Sequence, residues 1–182
     1  MAKLVEKTYG DALFQLGKEK NELDSFYEEG REIQKLLKEN TDLSKIFTHP
    51  DIDKAEKHET LDRIFEGRVE TDMLGFLHIL IEKDRFSKID AIFEYYTDCY
   101  REYRHIGVVY ITSAMELTDR QQAMIEEKIL KTTSYKKLIV HKKTDKELIG
   151  GVVIRIRDRV VDSSVKTKLE NLTRQLKQIQ IR

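Results

Sequence analysis

The spacing of apolar residues changes once along this chain, and that change limits the folds open to it. Up to about residue 105 apolar side chains recur at three and four residues, the interval that lines one face of an α-helix. Val5, Tyr9, Ala12, Leu13 and Leu16 form one stripe, and Leu23, Phe26, Tyr27, Ile33 and Leu37 another. A short helix near Leu43–Phe47 should stop before Pro50, because proline pushes the residue before it out of helical geometry. Lys54–Phe65 carries Leu61, Ile64 and Phe65; Met73–Ile81 is almost continuously apolar; Phe86, Ile89, Phe93, Tyr96, Tyr100 and Tyr103 step by three and four. After Gly107 the interval shortens to that of a strand, Val108-Val109-Tyr110-Ile111-Thr112. Helix returns from Thr118, a good N-cap with Gln121 three residues on, through Leu130. Leu138-Ile139-Val140 is a further strand. The expected class is α+β, with an N-terminal six-helix bundle over residues 1–105 and a small C-terminal α/β domain over 106–182. The second domain reads strand, helix, three strands, helix.

The segment from residue 148 onward is the most specific. Gly150 and Gly151 permit a bend or a close backbone approach where a side chain would clash. Val152, Ile154 and Ile156 then alternate with Val153, Arg155 and Arg157, the pattern of a half-buried strand. Asp158-Arg159 stands where a two-residue hairpin turn is expected, although Arg suits positive φ poorly. Asp162, Ser163 and Ser164 are all plausible caps for a helix whose Val165, Leu169, Leu172, Leu176 and Ile179 recur at four, three, four and three. No side chain here is poised for chemistry, and the segment reads as a docking module.

Two helices carry more apolar surface than one core needs. At 100° per residue Phe14 lies opposite the Val5–Tyr9–Leu16 stripe, with Leu4 off to the side. Met73–Ile81 is apolar nearly all round, so it is central in the bundle or covered by a partner. Gly75 and Ile79 share a face of it, and Gly75 would let another helix approach closely.

Charge separates the two halves. The 33 basic and 33 acidic residues cancel overall. Residues 1–130, however, hold 19 Lys and Arg against 28 Asp and Glu, whereas residues 131–182 hold 14 against 5. An acidic front and a basic tail suggest two surfaces with different partners. A single cysteine, Cys99, excludes an internal disulfide framework. No apolar run reaches the roughly 18 residues of a membrane span, and no basic-then-apolar leader precedes the first helix; the chain reads as cytoplasmic.

Catalytic readings are weak. His58-Glu59-Thr60-Leu61-Asp62 is one residue from a zinc-protease pattern but lacks an indicated third ligand, so a solvated helix face is the better reading. Ser163-Ser164 has no nucleophile elbow around it. Gly150-Gly151 lacks the Lys-Ser/Thr of a phosphate loop, and His49, His78, His105 and His141 show no ligand spacing. No cofactor, metal or nucleotide site is expected. The alternative from another class is nucleic-acid binding by Lys136, Lys137, Lys142, Lys143, Arg155, Arg157 and Arg159. Stacking aromatics are scarce there, with only Tyr135 among the charges.

In order and spacing the chain resembles the delta subunit of bacterial F-type ATP synthases, relatives of the mitochondrial oligomycin-sensitivity-conferring protein. Asp145, Leu148, Ile149, Gly150 and Gly151 match the family's C-terminal signature, followed by a Val-x-Asp-x-Ser-like segment at Val160, Val161, Asp162 and Ser164. Tyr9, Ala12, Leu13 and Phe14 resemble its opening helix; Phe47, Pro50, Lys57 and Phe65 its next motifs; Phe76-Leu77, Leu80 and Arg85 its apolar helix; Ser113, Ala114 and Leu117 its interdomain junction. Gly10, Gly75 and Lys146 depart from the usual Ala, Asn and Pro.

The resemblance implies a non-catalytic stator subunit of a proton-transporting synthase, peripheral on the cytoplasmic side of the cell membrane and touching the membrane only through the complex. It implies that a groove between the first and fifth helices receives the N-terminal helix of an alpha subunit, a role carried here to Val5, Tyr9, Ala12, Gly75, Phe76 and Ile79. It also implies that the C-terminal domain meets the b subunits of the peripheral stalk, and that nucleic acid is not a partner.

Overall fold

The computed structural model describes residues 2–179, with side chains over 4–177. The chain divides into two compact units, Met1–Tyr100 and Arg101–Arg182.

The first unit is helical: α1 (Ala2–Lys20), α2 (Leu23–Glu39), α3 (Thr41–Thr48), α4 (Lys54–Phe65), α5 (Thr71–Glu82) and, after a single 3-10 turn at Phe86–Lys88, α6 (Ile89–Tyr103). The breaks have local causes. Asn21, between α1 and α2, takes a left-handed φ of 60°, which asparagine tolerates better than most residues. The short third helix ends at Thr48, before Pro50 as its chemistry requires. Lys57 is buried, and its Nζ donates to the His49 carbonyl at 2.6 Å, tying α4 to the end of α3. Such burial is tolerated because the polar end keeps a hydrogen-bond partner.

α6 organises this unit. Ile89, Ile92, Phe93, Tyr96 and Tyr100 are buried along it at helical spacing, whereas Tyr103, expected in the same stripe, is exposed. The Tyr96 hydroxyl donates to the Leu23 carbonyl at 2.9 Å, Tyr100 to Asp24 Oδ1 at 2.6 Å and Tyr95 to Asp11 Oδ1 at 2.9 Å. Each bond satisfies a polar tip on a side chain whose ring supplies apolar burial. Phe93 meets α2 at Gly30, where an added Cβ would stand 3.1 Å from its ring. Phe14, on the side of α1 expected to need separate cover, packs edge-on to Tyr96 with centroids 6.2 Å apart, so this side is closed by the bundle itself.

The second unit holds β1 (Ile106–Ser113), α7 (Asp119–Thr132), β2 (Lys137–Thr144), β3 (Val152–Ile156), β4 (Arg159–Asp162) and α8 (Val165–Ile179), with a 3-10 turn at Lys146–Leu148. The sheet order is β2-β1-β3-β4. β1 pairs with β2 in parallel, Val109 opposite Val140, and with β3 antiparallel, Val109 opposite Ile156. The parallel pair needs a crossover, and α7 supplies it. Thr118 starts α7 with the expected capping box, its hydroxyl accepting from Gln121 N while the Gln121 side chain accepts from Thr118 N. Val109, Ile111 and Ile129 form the core, with Leu117, Ile125, Leu138, Val140, Ile154 and Ile156 packed on it. The β3–β4 turn falls at Arg157–Asp158, one residue earlier than expected, because Ile156 pairs with Arg159. Arg157 accordingly takes φ 49°. In α8 the residues Val165, Leu169, Leu172 and Leu176 are exposed; the side chain of Ile179 lies outside the described residues.

Tyr96→Phe removes a buried hydroxyl and its hydrogen bond to the Leu23 carbonyl. Urea unfolding should show a loss of roughly 1 kcal/mol with an unchanged dependence on denaturant. An unchanged midpoint would mean that the bond contributes nothing net.

Candidate docking sites

On α1 and α5 the candidate residues come together. The Tyr9 and Phe76 rings meet edge-on, with centroids 6.5 Å apart. Phe76 is only 7% exposed and lies 6.4 Å from Phe93 on α6, so it forms the floor between the two helices and not a free anchor. Val5 and Tyr9 are half-buried and Ala12 is exposed. Ile79 is 50% exposed, and Leu4 lies open at the start of α1. Around Gly75 nothing stands within 4 Å of where a Cβ would be. A mid-helix glycine costs about 0.5–1 kcal/mol relative to alanine. In this chain by itself no described neighbour uses the space it leaves. Lys20, in the last turn of α1, pairs with Asp72 in the first turn of α5, where those two ends meet. Between α1 and α5 the Tyr9 and Phe76 rings meet beneath the half-exposed Ile79 and the open space at Gly75.

Gly10, the departure from the family's alanine, has a different explanation. A Cβ there would approach the Tyr95 ring to 2.4 Å. Tyr95 is held in place by its bond to Asp11, which also pushes the phenol's pKa well above its usual range. The missing methyl on α1 and the ring on α6 are one fit.

The C-terminal motif is structural down to its atoms. Asp145 accepts from Glu147 N at 3.0 Å and caps the 3-10 turn, while its own N–H donates to the Ser113 carbonyl at 2.8 Å. Leu148 is half-buried. Ile149 has φ 65° and ψ −41°, and Gly150 N donates to the Leu148 carbonyl at 2.7 Å. This is a γ-turn of the strained hand, around a β-branched residue. A Cβ on Gly151 would stand 2.5 Å from the Ser163 carbonyl, and one on Gly150 would stand 3.0 Å from Val165. Of the three possible caps, Ser164 is the one whose hydroxyl accepts from Thr167 N, and it is fully buried. The Asp162 carboxylate accepts from Ser164 N and from Thr167 Oγ1, both at 2.8 Å, and these bonds hold its pKa below the usual aspartate range. The glycines, Asp162 and Ser164 together fasten the first turn of α8 to the strands.

The zinc-like sequence on α4 resolves into a side-chain relay. His58 Nδ1 lies 2.6 Å from His78 Nδ1, and His78 Nε2 lies 2.8 Å from Asp62 Oδ1. Among the described residues no group of three or more His, Cys, Asp or Glu side chains could hold a metal. No described helix is long and apolar enough to cross a membrane. The basic residues of the sheet do not form one face. Lys142 donates to Gln122 on α7, while Arg155 lies over the Tyr110 ring, which stacks on His141 with centroids 5.0 Å apart. The sequence alone does not place Tyr110 in this group, because strand pairing across more than 30 residues brings it there.

Comparison with known proteins bears on the whole chain. The profile of the family described as ATP synthase delta (OSCP) subunit matches residues 5–176. The chain is 46% identical over 181 residues to the protein named ATP synthase subunit delta in Lachnoclostridium phytofermentans, covering all of both. It is 38% identical over 170 residues to the protein of the same name in Acetivibrio thermocellus, covering 91% of this chain and 93% of that one. In fold it is similar to a chain of the Toxoplasma gondii mitochondrial ATP synthase hexamer, with a TM-score of 0.70 at 20% identity, covering 94% and 96%.

Three substitutions test these assignments. Gly75→Ala should raise the unfolding free energy by roughly 0.5–1 kcal/mol. Gly10→Ala should lower it by about 1 kcal/mol, because overpacking against Tyr95 outweighs the gain in helix propensity. Equal effects at the two positions would contradict the different surroundings described. For Asp162 the folded pKa is depressed, so its stabilisation is present above the unfolded value and is lost as pH falls through the folded one. Asp162→Ala should therefore speed amide exchange in the first turn of α8 at pH 7, and the difference from wild type should shrink in acid. A difference that persists unchanged at low pH would refute the carboxylate's role.

Proposed function

Because the chain belongs to the ATP synthase delta (OSCP) subunit family, we propose that its α1–α5 groove seats the N-terminal helix of an alpha subunit and that its C-terminal unit meets the b subunits of the peripheral stalk. The protein is a non-catalytic subunit of F-type ATP synthase and a peripheral component of that complex. The proposed place is the cytoplasmic side of the membrane, between the catalytic head and the stalk.

The head feels torque from the shaft turning inside it and must be held still for rotation to be coupled to synthesis. A holder needs two separate attachments that survive load. Exposed ion pairs contribute little and are screened by salt. Apolar helix faces buried in grooves do not share that weakness. The open space over Gly75, beside the half-exposed Ile79, is the observation that carries the reading. An amphipathic helix laid there would cover Ile79 and the free edges of Val5 and Tyr9. Such a mode uses anchors at three and four spacing.

Titration calorimetry of the full chain with a peptide covering the alpha subunit's N-terminal helix tests this. One-to-one saturable binding is expected. Ile79→Asp should weaken it about 100-fold, because a carboxylate in an apolar groove has no partner. Its circular dichroism should be unchanged, since the position is half open. Gly75→Leu should act likewise by filling the groove. Absence of binding by wild type, or a collapse of the fold in Ile79→Asp, would return the groove to ordinary core.

A further inference from the structure

Two imidazoles between α4 and α5 stand outside the proposed docking residues. His58 Nδ1 and His78 Nδ1 face each other at 2.6 Å, with ring centroids 4.8 Å apart. The two side chains are 28% and 29% exposed, enough for protons to reach them from solvent. A carboxylate stands at each end of the pair. His78 Nε2 is 2.8 Å from Asp62 Oδ1, and His58 Nε2 is 3.7 Å from Glu82 Oε2. The order Asp62, His78, His58, Glu82 therefore crosses between α4 and α5 three times. One cation stands at the Glu82 end. Lys54, one turn before His58, donates to the Glu82 carbonyl at 2.5 Å and lies 3.2 Å from Asp84 Oδ2. The other charges of these helices are engaged elsewhere: Glu59 with Arg63, Asp72 with Lys20 of α1, and Lys57 with the His49 carbonyl.

The contact between the two Nδ1 atoms fixes how many hydrogens the pair can carry. Two ring nitrogens at hydrogen-bonding distance hold one hydrogen between them. With none, two lone pairs oppose each other; with two, the hydrogens collide. An ionised carboxylate only accepts, so Asp62 assigns a hydrogen to His78 Nε2 and leaves His78 Nδ1 as an acceptor. His58 is then the donor at Nδ1. Its own Nε2, facing Glu82, is the place for one further proton. That proton keeps every contact in the chain and makes the bond to His78 charge-assisted. A second added proton has only His78 Nδ1 left to occupy. It breaks the bond and sets two imidazolium rings against each other.

We propose that His58 and His78 form an acid-sensitive clasp between α4 and α5, closed while the pair holds at most one added proton and opened by the second. The sign follows from proton counting. In the unfolded chain both histidines take up protons freely, around the ordinary histidine value of about 6.5. The closed clasp refuses one of them. In acid the opened state therefore binds more protons than the closed one, and the fastening of α4 to α5 weakens as pH falls.

Two measurements on the full chain test the clasp. Nitrogen-15 NMR of the imidazoles at about pH 8, above the ordinary histidine range, should show His58 as the Nδ1–H tautomer and His78 as the Nε2–H tautomer. Both rings as Nε2–H tautomers would mean that no hydrogen lies between them, which overturns the proposal. Amide exchange, corrected for its intrinsic pH dependence, then compares about pH 7 with about pH 5, with α2 as the internal standard. In wild type, protection of α4 and α5 should fall about ten-fold relative to α2 on acidification. His58→Asn places an amide near the His58 Nδ1 position, and an amide can turn to offer either its hydrogen or its oxygen. This variant should therefore keep its clasp when His78 is protonated, and its protection should change by no more than about two-fold over the same range. Wild-type α4 and α5 that keep pace with α2, or a His58→Asn chain that loses as much protection as wild type, would overturn the clasp.

Discussion

The buried hydroxyl of Tyr96 donates to the Leu23 carbonyl, and with the Tyr95–Asp11 and Tyr100–Asp24 bonds it sets the position of α6 against α1 and α2. The floor of the groove depends on that position. Phe93, one turn before Tyr96, meets Gly30 of α2 on one side and Phe76 of α5 on the other, and Phe76 in turn supports Tyr9 of α1. The surface proposed for the alpha-subunit helix is the upper edge of an aromatic stack whose lower members are core. A groove built this way is already shaped before anything enters it. Little conformational entropy is then lost on docking, which is how a rigid site gains affinity without more area.

The C-terminal unit solves a different problem. Its sheet core is small, and among the described residues no side chain of its last helix packs on it. α8 is instead aimed by a local latch: two glycines that admit close backbone, a carboxylate and a buried serine that cap the first turn, and a strained γ-turn at Ile149. Residues held in such sparsely populated conformations persist where their surroundings over-determine them. Here the surroundings are the Asp145 carboxylate, which accepts from Glu147 N before the turn, and Val165 N, which donates to the Gly150 carbonyl after it. A helix fixed at one end and open along its side suits an attachment point better than a scaffold element.

The two candidate surfaces differ in charge as well as place. The α1–α5 groove lies in the acidic part of the chain and is apolar at its centre, so salt should matter little to it. The exposed apolar line of α8 lies in the basic tail.

The elements themselves were legible because periodicity is local. Helix and strand positions, the stop before Pro50, the Thr118–Gln121 cap and the shared face of Gly75 and Ile79 all depend on residues within a few positions of one another. The family signature around Gly150 was equally readable, since spacing survives in the sequence. What lay beyond reach required knowing which elements meet. That Phe14 is covered by Tyr96 while Ile79 is left half open depends on where α6 stands. That Gly10 has no methyl because of Tyr95 is a fit between residues 85 positions apart. The stacking of Tyr110 between His141 and Arg155 comes from the order β2-β1-β3, which alternation along single strands does not contain. The hairpin turn moved by one residue because the register of β3 against β4 is set by pairing across the sheet. Local chemistry determined what each segment is; the packing of segments against one another decided which of their faces remain free to bind.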